Sequence, residues 1–171
     1  MNLQDNDFAL FGLTQVFAQD RAVMDARWKE LQREAHPDKF ASHGAAAQRV
    51  AMQWSVRINE AYQRLKDPLK RAAYLCELSG FAINAHSNTA MPTQFLMQQM
   101  EWREALDDAS DAPALAQLLS EVQAARKDLL QECEQCLDQR HDPAAAVGSV
   151  RALMFIDKFA QDLNQRLDQF E

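Results

Sequence analysis

The sequence predicts an all-α protein, and three observations carry that prediction. Five prolines, Pro37, Pro68, Pro92, Pro113 and Pro143, cut the 171 residues at intervals of 21 to 31. The stretches between them space apolar residues three and four apart rather than alternately. Ala, Leu, Gln and Glu dominate, β-branched residues are sparse, and no Asn-Gly or Asp-Gly turn occurs, so helix formers abound and hairpin signals are missing. A chain of this length, 47% hydrophobic, suffices for one compact domain or two small ones.

The first lobe, expected over 1–80, begins with a short turn around Phe8–Phe11. Asp20 then offers an N-cap for a helix with the apolar stripe Met24, Trp28, Leu31 and Ala35, which leaves Lys29 and Arg33 on the solvent side. A second helix, about 45–66, repeats Ala47, Ala51, Trp54, Ile58, Ala61 and Leu65 at alternating spacings of four and three. That pattern packs lengthwise on a neighbour, so the two helices should form an antiparallel hairpin. Asp67-Pro68 starts a shorter helix through Leu75 and Leu78, and Gly80 is placed to end it in a left-handed cap.

Residues 81–92 lose periodicity and gain small polar residues, the signature of a linker. The second lobe, 93–171, offers helices over about 93–108, 112–139 and 144–170, with Ser110 or Asp111 capping the second and Asp142-Pro143 starting the third. Two stripes keep near-heptad spacing: Leu115, Leu118, Val122, Leu129, Cys133, Cys136, and Leu153, Ile156, Ala160, Leu163, Leu167, Phe170. An antiparallel three-helix bundle requires this spacing.

Composition excludes several function classes. The net charge of −7 disfavours a general nucleic-acid binder, which needs a cationic surface. Residues 1–80 carry net +1 and 81–171 net −8, so the two lobes should face different partners. The four glycines, Gly12, Gly44, Gly80 and Gly148, are more than thirty residues apart, which excludes a P-loop and a G-x-G-x-x-G turn. The N-terminus is acidic and no apolar run approaches the roughly 18 residues a membrane span needs, so no signal peptide or membrane anchor is expected. Three cysteines cannot all pair within the chain, and the cytoplasm is the expected location.

The turn between the first two long helices reads Glu34-Ala35-His36-Pro37-Asp38-Lys39-Phe40. Pro37 disfavours helical geometry at His36 and has no N–H to continue a helix, so the chain must turn and hold His36 and Asp38 at an exposed corner. By itself this is equally an ordinary proline helix stop, since X-Pro-Asp turns are common. Its setting, beside a helix face carrying Lys29 and Arg33, points to docking on an acidic partner.

Here the residues resemble the J-domain family, co-chaperones of heat-shock chaperone ATPases. His36-Pro37-Asp38 matches that family's invariant tripeptide, and Ile58-Asn59-Glu60-Ala61-Tyr62-Gln63-Arg64-Leu65-Lys66-Asp67-Pro68 with Arg71 and Tyr74 matches the pattern that follows it. The extension through Lys39-Phe40, the pair Leu10 and Gly12, and the acidic helical second lobe look like the HscB branch, dedicated to iron–sulfur cluster assembly. The Gly/Phe-rich stretch and zinc-binding cysteine repeats of ordinary J-proteins are missing, as is the N-terminal Cys-x-x-Cys pair of some organellar relatives, which favours the bacterial form. The resemblance implies a J-domain over 1–80 that docks on the chaperone HscA through its second helix and loop (Lys29, Arg33, His36, Pro37, Asp38, Lys39) and promotes ATP hydrolysis there. It also implies a chain that is not itself an enzyme: no catalytic residue, metal or cofactor is expected on it.

The helix at 93–108 carries more apolar surface than one stripe needs. At 100° per residue Phe95, Trp102 and Leu106 group within about 40°, while Leu96, Met97 and Met100 form a second patch about 100–160° away. Both cannot face one core unless the helices cross at an angle. Glu101, Glu104, Asp107 and Asp108 rim the second patch, as charged residues border a partner site. Phe155 lies about 100° off the Ile156 line and falls at the edge of the same groove. The HscB resemblance implies that Leu96, Met100, Glu101, Glu104 and Phe155 bind the scaffold protein IscU.

Cys133-Glu134-Gln135-Cys136 is a C-x-x-C. Thioredoxin-type cysteines sit at a helix N-terminus, whereas these lie about twenty residues inside a helix on its apolar stripe, where buried structural thiols are expected. A redox or zinc site stays open at this point, with Cys76 or His141 as the only further ligands in prospect. His43, His86 and His141 fall in loops. Three functions therefore compete: a co-chaperone delivering IscU to HscA, a J-protein with a different client, and a small metal-binding protein using Cys133 and Cys136.

Overall fold

The computed structural model describes residues 2–83 and 91–170. Its elements are α1 (Asp7–Phe11), α2 (Arg21–Ala35), a 3₁₀ segment (Pro37–His43), α3 (Ala45–Lys66), α4 (Pro68–Leu78), α5 (Thr93–Asp108), α6 (Ala112–Glu134), a π-helical turn (Gln135–Gln139) and α7 (Pro143–Asp168). No strand occurs among the described residues. The chain divides into two compact units, Met1–Leu75 and Cys76–Glu171. Of the segment expected as a linker, 84–90 lies outside the described residues, as does His86.

In the first unit α2 and α3 form the expected hairpin. Asp20 caps α2 by accepting the Ala22 N–H at 2.9 Å. Met24, Leu31, Ile58, Ala61 and Leu65 are buried between the helices, while Trp28 is half-buried. Trp28 stacks on Tyr62 with ring centroids 4.8 Å apart, and its indole N–H donates to Asn59 Oδ1 at 3.0 Å. Gln32 bonds Asn59 Oδ1 and the Ser55 carbonyl from one amide nitrogen, so polar side chains pin the two helices along the solvent edge of the apolar seam.

The expected turn at Phe8–Phe11 is a short helix, α1, and Phe8, Leu10 and Phe11 are all buried. Asp7, fully buried, holds α1 against α3: its carboxylate pairs with Arg57 at 2.8 Å and Arg64 at 2.6 Å. Its backbone N–H donates to the Tyr74 hydroxyl at 3.0 Å. Arg71, also buried, caps the end of α3 by donating to the Leu65 carbonyl at 2.7 Å. Gly80 adopts φ +88° after α4, the left-handed conformation expected of it.

In the second unit Asp111 caps α6 through the Ala114 N–H, and Asp142 caps α7 through the Ala145 N–H. Leu115, Leu118, Val122, Cys133, Cys136, Leu153, Ile156 and Leu163 are buried as their spacing predicts. Two expectations fail at helix ends. The helix foreseen to run to 139 changes at Gln135 into a π-helical turn, and Phe170, expected in the apolar stripe, is 47% exposed because α7 stops at Asp168. Phe159, outside the expected stripe, is buried instead, stacked on Trp102 with centroids 5.9 Å apart.

Candidate functional sites in the two units

The corner between α2 and α3 is built as proline chemistry requires. His36 takes extended geometry (φ −63°, ψ 128°), which ends α2, and Pro37 opens the 3₁₀ segment. His36 Nδ1 accepts the Asp38 backbone N–H at 3.2 Å and stands 3.7 Å from the Asp38 carboxylate. The Asp38 side chain is 94% exposed and that of His36 57% exposed. Neither is core, and the carboxylate offers all its acceptor capacity outward. Lys29 and Arg33 on α2 and Lys39 on the 3₁₀ segment are exposed too.

Below this corner lies an apolar hollow of about 500 Å³ lined by Ala35, Phe40, Ala47, Val50, Ala51 and Trp54. Val50 is 50% exposed on its rim. The spacing of Ala47 and Trp54 predicts a closed seam; the hollow stays open because small alanines leave it unfilled where α2 ends and the chain swings out.

In the second unit α5 divides as its helical geometry predicts. Phe95 and Trp102 are buried, whereas Leu96, Met97 and Met100 are exposed at 42%, 61% and 70%. Glu101, Glu104, Asp107 and Asp108 are exposed around them. Phe155 lies in a groove between α5 and α7 that Leu96 also lines, while Met97 and Met100 are outside its lining. Phe155 is only half-buried, yet it is also structural. Its ring meets Phe95 edge-on at 5.8 Å and stacks on Phe159 at 5.7 Å.

The three cysteines are buried, and Cys136 Sγ lies between Glu132 Oε1 at 3.5 Å and the Arg140 guanidinium at 3.7 Å. Desolvation pushes the Cys76 thiol up to about 11 and the Cys133 thiol up to about 12, and it raises Cys136 as well. Such thiols are protonated at neutral pH and poor nucleophiles. Among the described residues no group of three or more His, Cys, Asp or Glu side chains is placed to hold a metal ion, and no helix is long and apolar enough to cross a membrane.

Comparison with known proteins decides the family. The chain is 48% identical, over 93% of its own length and 94% of its relative's, to the co-chaperone protein HscB homolog of Bordetella petrii. It is 46% identical over its whole length, and 99% of the relative's, to the HscB homolog of Burkholderia multivorans. It belongs to the HscB co-chaperone family. Residues 91–164 match the family model described as the HSCB C-terminal oligomerisation domain. Among solved structures, chaperone HscB from Vibrio cholerae is similar over 98% of this chain and 100% of that one, with 34% identity and a TM-score of 0.83. The human co-chaperone protein HscB is similar over 97% of this chain and 84% of that one, with 25% identity and a TM-score of 0.90. The all-α architecture of this chain is therefore that of the HscB family, and its homologues are co-chaperones.

Proposed function

We propose that this HscB-family chain is a bacterial, cytoplasmic co-chaperone of iron–sulfur cluster assembly that binds the scaffold protein IscU, delivers it to the chaperone HscA and stimulates HscA to hydrolyse ATP. The observation that carries the reading is the pairing of two exposed surfaces on one chain: a His36-Pro37-Asp38 corner beside cations on one unit, and an acid-rimmed apolar patch on the other.

The first surface docks on the ATPase. Asp38 is free to accept hydrogen bonds from a partner arginine, a charge-assisted contact stronger than a neutral one. Lys29, Arg33 and Lys39 supply attraction to an acidic surface and raise the encounter rate. His36 and Pro37 act by shape, holding the carboxylate outward. The protein contributes no reacting group of its own: ATP is bound and cleaved on HscA, and the chain shifts that enzyme towards its hydrolytic state through contacts alone.

The second surface holds the client. Leu96, Met97, Met100 and the edge of Phe155 supply apolar anchors, and Glu101 and Glu104 border them, the arrangement of a desolvated centre within a polar rim. The C-x-x-C is assigned to packing, supported by its burial and its raised thiols. The domains follow from the same reading: a J-domain over 1–80, a linker over 81–92 and a client-binding domain over 93–171. Calorimetric titration with IscU tests the client half directly. Saturable binding by the wild-type chain is expected, and absence of binding would leave a J-protein with some other client.

A further inference from the structure

The groove between α5 and α7 carries a charge that runs against the unit containing it. Residues 81–171 hold seven basic side chains against fifteen acidic ones, yet three of the seven, Arg103, Arg151 and Lys158, converge on a single hollow of about 300 Å³. Its apolar floor includes Leu96, Met154 and Phe155, and no carboxylate lines it. Ion pairs in this unit engage other cations, Arg126 with Asp157 at 2.8 Å and Arg140 with Glu132 at 3.0 Å. Among the described residues no carboxylate lies within 4.0 Å of Arg103 or Lys158.

Two of the three cations are held in place by something other than an acid. The Arg103 guanidinium sits 5.4 Å from the centroid of the Phe155 ring. Arg151 is half-buried and donates from Nε to the Ile83 carbonyl at 2.7 Å, which fixes its stem and leaves the two terminal nitrogens to point elsewhere. Lys158 is exposed. A second hollow shares Arg103, Phe155 and Lys158 and adds Asp107 and Asp162, whereas Arg151 lines only the hollow without those acids.

We propose that this groove accepts an acidic segment of the client protein, with an apolar side chain seated on Leu96, Met154 and Phe155 and a neighbouring carboxylate held by Arg103, Arg151 and Lys158. The inference rests on the client-binding reading of α5 and deepens it. The exposed acids Glu101 and Glu104 select basic groups on the partner, and the groove beside them selects an acid. A partner must then match both signs in one orientation. Complementarity of this kind sets register and rejects wrong partners more than it adds raw affinity.

The experiment titrates IscU into the full chain and into R103Q/K158Q, K158R and L96A/M100A at low and high salt. Arg151 is left intact because its bond to Ile83 is structural. R103Q/K158Q is expected to bind IscU about fivefold or more weakly at low ionic strength, and to converge on wild type as the Debye length falls to about 3 Å near 1 M salt. K158R, which keeps the charge, is expected to match wild type, and the loss in L96A/M100A is expected to persist in high salt. If R103Q/K158Q binds like wild type while L96A/M100A does not, the cations of the groove hold no carboxylate of the client, the proposal is overturned, and the client reading stands without it. If neither variant changes binding, the client reading itself fails. Salt-sensitive self-association in sedimentation, abolished by R103Q/K158Q with IscU affinity unchanged, would make a second copy of the chain the occupant and overturn the proposal.

Discussion

His36 accepts the backbone N–H of Asp38 on its Nδ1 at 3.2 Å. That hydrogen bond assigns the ring proton of the neutral imidazole to Nε2 and ties the imidazole to the backbone of the turn that carries the exposed carboxylate. Replacing His36 with Gln is expected to abolish stimulation of HscA, with far-UV helicity and the melting temperature nearly unchanged, because the side chain is 57% exposed. Circular dichroism beside a steady-state ATPase assay checks both halves. A variant that unfolds would mean that the turn serves the fold rather than docking.

The α5 patch separates packing from binding. Leu96→Ala with Met100→Ala removes side chains that are 42% and 70% exposed, so stability is expected to fall by less than about 1 kcal/mol. IscU affinity is expected to fall at least about tenfold, since central apolar anchors commonly cost about 2 kcal/mol or more each. Phe155→Ala differs in kind. Its ring packs on Phe95 and Phe159, so a loss of about 2 kcal/mol or more in stability is expected alongside weaker binding. A thermal melt and a calorimetric titration of each variant distinguish them.

Asp7 is the buried carboxylate that ties α1 to α3. Asp7→Ala leaves Arg57 and Arg64 without the carboxylate they share at 2.8 and 2.6 Å. Breaking a buried pair from one side costs about 3 kcal/mol or more, and denaturant unfolding is expected to show a loss of that order. Both partners keep some solvent contact, which places the expectation at the lower end of such effects.

The three thiols set an alkaline limit on stability. Cys76 and Cys133 titrate near 11 and 12 in the folded chain against 9.0 in an exposed thiol. The folded state thus keeps protons that an unfolded chain releases. The resulting stabilisation is complete below about pH 9 and is lost as pH rises through the folded values. Denaturant midpoints are expected to fall between pH 9 and 11, less so in a triple Cys→Ser variant than in wild type when each is compared with its own value at pH 8. At neutral pH the native thiols are expected to resist alkylation until the chain is unfolded.

Helical periodicity made most of the fold legible, because a stripe such as Ile58, Ala61 and Leu65 states which face is buried without reference to its partner. The corner at His36-Pro37-Asp38 was legible for a local reason, since proline restricts the residues around it. The two-faced nature of α5 was legible from angles alone. Three features were not. Asp7 gains its meaning from Arg57 and Arg64, fifty and more residues away. The π-helical turn at Gln135 changes hydrogen-bond register without a proline or glycine to announce it. The cations Arg103, Arg151 and Lys158 meet only once α5 packs on α7, in a sequence whose local charge is negative. Phe170 erred the other way: its spacing fits the stripe, but helix fraying after Asp168 removes it from the core.

Steady-state ATP hydrolysis by HscA, measured with IscU and either the wild-type chain or Asp38→Ala, probes the proposed function most directly. Asp38 is 94% exposed and its loss leaves packing intact. Wild type is expected to raise the rate well above that of HscA with IscU alone, and Asp38→Ala to leave it at that baseline while still binding IscU in calorimetry. Stimulation by Asp38→Ala equal to that of wild type, or none by the wild-type chain, would contradict it.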